Sequence, residues 1–232
     1  MEMEVLADAD AVARRAAAFI ADAARTAAGA RGRFVFAVSG GRTPWVMLRA
    51  LAQEEVPWEA VEIVQVDERV APEGHADRNL THLRESLLER TPLKPGQIHA
   101  MPVAAEDLDG AARKYGDVLQ DLTGPSVRLD LVHLGLGPDG HTASLIPEAP
   151  ELEIRDVPVA VTGVYQGRRR MTLTFPVLDD ARQVLWVVTG DDKREMLLRL
   201  REGDAAIPAG RVAAGAAVVI ADRAAAALLG DS

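Results

Sequence analysis

The residues of this chain best suited to chemistry sit in short polar loops that follow apolar runs. The first is "LGLGPDGHTASLIP", residues 134–147, where an apolar run breaks into glycines and then delivers Asp139, Gly140 and His141. An imidazole can take a proton from water near neutral pH, and a carboxylate two residues away can orient it or offset the proton it acquires. The pattern reads as strand, sharp turn and first turn of a helix, whose dipole would disfavour imidazolium and keep His141 a neutral base. "GLGPDG" (135–140) also fits a dinucleotide fingerprint. The acidic residue wanted about 20 positions later is missing from "VAVTG" (159–163), so that reading is rejected. His75, His82, His99 and His133 have no spacing suited to a metal site and are read as structural.

Three other loops carry charge or bare backbone. In "SGGRTP", Ser39 to Pro44, the glycines Gly40 and Gly41 let N–H groups approach a ligand. Thr43 suits an N-cap and Pro44 a first helical position, so the loop would offer an anion the start of a helix. It is not a Walker loop, since no Gly-Lys-Ser/Thr follows. A nucleophile elbow would want a later triad histidine, and none follows His141. In "DER", alternation puts Asp67 and Arg69 on one side of an extended segment and Glu68 on the other. Such an acid and base commonly pair; the functional reading aims Arg69 at a phosphate or hydroxyl. "QGRRRMT" (166–172) offers three arginines before a strand, of which one at most points inward. "TGDDKRE" (189–195) puts Lys193 in the first turn of a helix, where a cation opposes the dipole unless it faces a bound anion.

The elements that must position these loops alternate along the chain. Helices are predicted over 8–28, 44–53, 79–90, 105–122 and 191–201, with a last one after 221. Strands are predicted at 34–38, 61–66, 97–101, 129–136, 157–161, 171–175, 183–188 and 216–221. Strands separated by helices imply parallel pairing with right-handed crossovers. The predicted fold is a single Rossmann-like α/β domain over residues 1–232, a mostly parallel sheet with helices on both faces. Ligands in such sheets sit at the carboxyl ends of the strands, where the four loops lie.

Composition narrows the function. With 232 residues and 48% apolar content the chain can bury a large core. A net charge of −9 argues against nucleic acid, though a few local cations could still hold a small anion. There is no cysteine, hence no disulfide and no thiolate chemistry. The acidic opening "MEMEVLADAD" is unlike a signal peptide, and no apolar run approaches a membrane span. The expectation is a soluble, cytoplasmic protein, monomer or homodimer, with no membrane partner.

Taken together, "SGGRTP", "VDERV" followed by Asn79, "GLGPDGHTASLIP", "RMTLT" and "TGDDKREML" resemble the 6-phosphogluconolactonases, in that family's order over residues 38–197. Arg78 stands where the family more often has serine, and Ile146 where it has phenylalanine. The resemblance implies hydrolysis of 6-phospho-D-glucono-1,5-lactone in the oxidative pentose phosphate pathway, without cofactor or metal. It implies His141 as general base beside Asp139. Substrate would be held by Ser39, Gly40, Gly41, Thr43 and Asp67, with Arg69, Arg170 and Lys193 facing the phosphate. The nearest alternative is a glucosamine-6-phosphate deaminase, which would continue past the histidine with Asn-Glu-Pro; here "TASLIPE" follows. A sugar-phosphate sensor of a transcription regulator would want an added helix-turn-helix and a basic face.

Overall fold

Apolar runs of alternating side-chain direction build the centre of the molecule. The computed structural model describes residues 1–213 and 215–230. Strands β1 (Glu2–Leu6), β2 (Phe34–Val38), β3 (Val61–Gln65), β5 (Ile98–His99), β6 (Leu131–Leu134), β9 (Val184–Val188) and β10 (Ala217–Asp222) form a seven-stranded sheet. Its order is β1-β10-β9-β6-β2-β3-β5 and every pairing is parallel. Successive side chains point to opposite faces. Phe34, Phe36 and Ile63 therefore pack under helices α1 (Ala9–Arg31), α2 (Arg42–Leu51) and α3 (Asn79–Ser86), whereas Val35, Ala37 and Val64 face α4 (Leu108–Thr123) and α6 (Arg194–Arg201). Burial on both faces is why these strands read as unbroken apolar runs.

Helix α1 shows how locally the sequence writes its elements. Asp8 caps it by accepting the Ala11 N–H at 2.8 Å, and Gly32 ends it at φ 71°. Its inner stripe is mostly alanine, which lets the helix lie close on the sheet.

Two predictions need correction, and one strand was not predicted. The segments 157–161 and 171–175 leave the parallel sheet: β7 (Val159–Val161) and β8 (Arg170–Leu173) join β4 (Asp67–Arg69) in a small antiparallel sheet, and α5 (Phe175–Asp179) follows. Only Val66 separates β3 from β4. Its N–H bonds to Val38 and its carbonyl accepts from Leu173, so it belongs to both sheets. The acidic opening forms an edge strand, β1. Residues 223–229 form turns where a last helix was expected, with Asp222 accepting from Ala225 and Ala226.

The strand order fixes where a ligand can enter. From β2 the chain moves outward through β3 to β5, then returns to place β6 on the other side of β2. Connections after β2 and β6 thus diverge from neighbouring strands, which opens a crevice at their carboxyl ends.

Candidate active site

That crevice is a cleft of about 530 Å³. It brings together residues far apart in sequence: Ser39, Gly40, Gly41 and Thr43 after β2, Asp67 and Arg69 on β4, His141 after β6, Arg170 on β8 and Lys193 before α6. Asp139 does not line the cleft and reaches it through His141.

His141 stands in a tight loop, not on a helix. Gly137 N–H bonds to the His141 carbonyl at 2.8 Å, Gly140 turns at φ 84°, and Thr142 bridges to Leu145. The expected helix dipole is therefore absent, and a carboxylate takes its place. Asp139 Oδ1 lies 2.5 Å from His141 Nδ1 and accepts the backbone N–H of His141 at 3.2 Å. With Nδ1 turned to the carboxylate, Nε2 is the nitrogen left for a ligand. Burial by itself would raise the Asp139 carboxyl, but the facing His141 and its hydrogen bonds hold it below the usual range. Gly137 is required here, since a Cβ would lie 2.1 Å from His141 Nδ1.

The loop after β2 is shaped by a close approach. A Cβ on Gly40 would sit 2.0 Å from Asn79 Oδ1, so only glycine admits that side chain. Gly41, at φ 131°, is the N-cap of α2 and leaves the helix start without a side-chain cap. Thr43 was expected at that position and instead lies at the second helical position. Its hydroxyl meets Thr189 at 2.6 Å, tying this loop to the one after β9. Pro44 falls at the third helical position, still within the turn whose N–H groups lack partners. Ser39 is pinned from beneath, its N–H donating to His133 Nδ1 at 3.3 Å.

On β4 the predicted alternation holds, but Asp67 and Arg69 bond elsewhere. Asp67 accepts the Ser144 hydroxyl at 2.6 Å and Asn79 Nδ2 at 3.3 Å. Arg69 donates to Asn79 Oδ1 and the Asp77 carbonyl, each at 3.0 Å. Glu68, on the far side, is fully buried against Arg78 at 3.2 Å and accepts the first N–H groups of α3. It anchors the helix that carries Asn79. Burial pushes the Asp67 carboxyl up, opposed by Ser144, Arg69 and Arg170.

Of the three arginines, Arg170 faces inward. It is 3% exposed, donates to Ser144 Oγ at 3.4 Å and Gln166 Oε1 at 3.2 Å, and lies 5.0 Å from the Tyr165 ring centre. Its Nε is buried without a hydrogen-bond partner among the described residues. Burial pulls its pKa down. Arg168 turns to Asp77 at 2.9 Å and Arg169 to the Thr162 carbonyl. Lys193 lies in the turn before α6 with Asp192 Oδ2 at 2.9 Å, so a carboxylate already offsets part of its charge. Four cations, Arg42, Arg69, Arg170 and Lys193, line the cleft against two carboxylates, Asp67 and Asp192. The local field is thus reversed in an acidic protein. Sequence reasoning left Asn79, Ser144 and Gln166 out of the site. Asn79 was signalled by its place after "VDERV"; Ser144 and Gln166 lie within "GLGPDGHTASLIP" and "QGRRRMT", but nothing in their residue types marked them. Among the described residues, no group of three or more His, Asp or Glu side chains is placed to hold a metal. None of the described helices is long and apolar enough to cross a membrane.

A doubly wound parallel sheet with a cationic, histidine-bearing cleft at its switch point defines an α/β protein whose cleft suits a small anion. The chain belongs to the family described as glucosamine-6-phosphate isomerases/6-phosphogluconolactonase, whose profile matches residues 7–221. It is 36% identical to a 6-phosphogluconolactonase of Nostoc sp. over 202 residues, covering 85% of this chain and 84% of the relative. The crystal structure of 6-phosphogluconolactonase from Thermotoga maritima superposes with a TM-score of 0.85 at 26% identity, over 95% of this chain and 98% of that one. A monomeric glucosamine-6-phosphate deaminase has the same fold, with a TM-score of 0.85 at 19% identity over 98% of this chain and 100% of that one. Fold alone therefore does not separate lactone hydrolysis from deamination.

Proposed function

We propose that this chain, as one domain over residues 1–232, is a cytoplasmic 6-phosphogluconolactonase. It would hydrolyse 6-phospho-D-glucono-1,5-lactone to 6-phosphogluconate without a metal, His141 acting as general base. One observation carries the reading: an imidazole oriented by a carboxylate opens into the same cleft as Arg69, Arg170 and Lys193. The lactone needs both features, a base for water at C1 and cations for the phosphate at the other end of the sugar.

His141 ends the cycle in the protonation state in which it began, and the carboxylic acid formed at C1 ionises to the product carboxylate. His141 Nε2 takes a proton from water as the water oxygen bonds to C1, and the carbonyl oxygen gains negative charge. Collapse breaks the bond from C1 to the ring oxygen, and the imidazolium returns its proton to that oxygen. Asp139, held ionised, offsets the imidazolium between the two transfers. The phosphate lies on the uncapped start of α2, at Gly40, Gly41 and Thr43, countered by Arg69, Arg170 and Lys193. Ser39 and Asp67 line the floor toward the sugar. Sequence favours this over the deaminase, because "TASLIPE" follows His141 where the deaminase segment would be Asn-Glu-Pro.

The purified protein is expected to hydrolyse the phosphorylated lactone above its spontaneous rate with EDTA present. Full loss on chelation would refute the metal-free reading. Ammonia released from glucosamine 6-phosphate would instead favour the deaminase.

A further inference from the structure

The turn that joins β7 to β8 touches both halves of the cleft. Tyr165 pairs across it with Arg168, and Gln166 and Gly167 take left-handed conformations at φ 50° and 79°. Such a geometry aims adjacent side chains with little freedom. Tyr165 Oη donates to Asp139 Oδ2 at 3.0 Å, while Oδ1 of the same carboxylate holds His141. The phenol ring meets the imidazole edge to face, with centres 5.7 Å apart at 70°. Its face also lies over the Arg170 guanidinium, which in turn bonds to Gln166.

We propose that Tyr165 is a positioning residue for His141. Its hydroxyl fixes the rotation of the Asp139 carboxylate, and so the direction in which His141 presents Nε2. A carboxylate bound on one oxygen only can swing about its own bond. Bound on both oxygens, by Tyr165 and by His141, it has a single orientation. Burial first, and then the Asp139 bond, push the Tyr165 hydroxyl up, so it remains a proton donor near neutral pH. The other charged groups lining this cleft are Asp67 and Arg69 on β4, Arg42 on α2, and Asp192 and Lys193 before α6. Hydrogen bonds to Asp139 come from His141 and Tyr165, neither of them from those groups.

The inference takes its catalytic meaning from the proposed lactonase, but one of its readouts does not depend on that activity. Tyr165→Phe removes the hydroxyl and keeps the ring over Arg170; Tyr165→Leu removes both. The Phe variant should lose roughly 10-fold in kcat with little change in KM. The loss should be equal on phosphorylated and unphosphorylated gluconolactone. Proton NMR of the apoprotein gives the independent test. The His141 Nδ1–H held against Asp139 should appear as a far-downfield resonance, assigned by its absence in His141→Asn. In Tyr165→Phe it should move upfield and broaden. A Phe variant with normal kcat and an unmoved resonance would overturn the proposal. So would a loss confined to Tyr165→Leu and to KM for the phosphorylated substrate, which would make the ring a cover for Arg170. A wild-type protein without lactonase activity would refute the functional reading, and the resonance would still decide the role of Tyr165.

Discussion

Two histidines, His133 and His141, lie eight residues apart on and just beyond one strand, and their surroundings make them different groups. His133 is completely buried in β6, with Nδ1 accepting from Ser39 and Nε2 lacking a hydrogen-bond partner among the described residues. Burial alone pulls its pKa down to about 3, so it is neutral near physiological pH. His141 lies in the cleft with an ionised carboxylate on one nitrogen and no partner for the other among the described residues. A histidine kept neutral by burial can hold a loop but cannot cycle a proton. One that meets a cleft beside a carboxylate is placed to face a ligand. The environment sets the role, and the residue type alone does not.

The largest expected effect breaks this comparison if it fails. His141→Asn should lower kcat by about 10²–10⁴-fold with a smaller change in KM, after the spontaneous rate is subtracted. The variant should fold normally, because the imidazole contributes little to the core. A folded variant with most of its kcat would place His141 with His133 as a structural residue.

How much of this was legible follows the same divide between local and distant causes. The strands β2, β3, β6 and β9 were readable because each is an apolar run buried on both faces. Strand β1 was not, since it is an edge strand with Glu2 and Val5 exposed and no apolar run to mark it. The four loops were readable because glycine, proline and charge mark strand ends. Their partners were not: Ser144 reaches Asp67 across 77 positions, and Tyr165 reaches Asp139 across 26. The helix expected at His141 fails for a local reason: Gly140 is left-handed and the chain closes on Gly137. The alanine-rich segment after β10 has helical propensity, and Asp222 accepts from Ala225 and Ala226 as a helix cap would, yet the segment forms only turns.

A smaller effect sharpens the comparison within the cleft, by separating the base from the cations. A charged hydrogen bond lost at such a site costs about 1.5–3 kcal/mol, or roughly 10- to 150-fold in kcat/KM. Arg170→Ala should fall toward the upper end, since its guanidinium is buried and one nitrogen has no hydrogen-bond partner among the described residues. Lys193→Ala should fall lower, because Asp192 already offsets its charge. Both losses should appear with the phosphorylated lactone and barely with unphosphorylated gluconolactone. Equal losses on the two substrates would assign these residues to structure or chemistry and place the phosphate elsewhere.

The smallest expected effect on activity is at His133, and its signature lies in stability instead. Asparagine can replace the imidazole as an acceptor for the Ser39 N–H but cannot take up a proton. His133→Asn should therefore keep kcat within a few-fold of wild type at neutral pH. The sign of the pH effect follows from the direction of the shift. In the unfolded chain a histidine binds its proton below about pH 6.5, whereas native His133 resists it until about pH 3. The unfolded state thus binds more protons in between, so the stability due to neutral His133 is complete above pH 6.5 and drains away as pH falls toward 3. Between pH 7 and pH 4 the difference amounts to about 3 kcal/mol. Denaturant unfolding at both pH values should show wild type losing more stability on acidification than His133→Asn does, even if the variant starts lower from its lost packing. Parallel losses would mean that the buried imidazole already gains a proton partner in the native state. Its contrast with His141 would then rest on position alone.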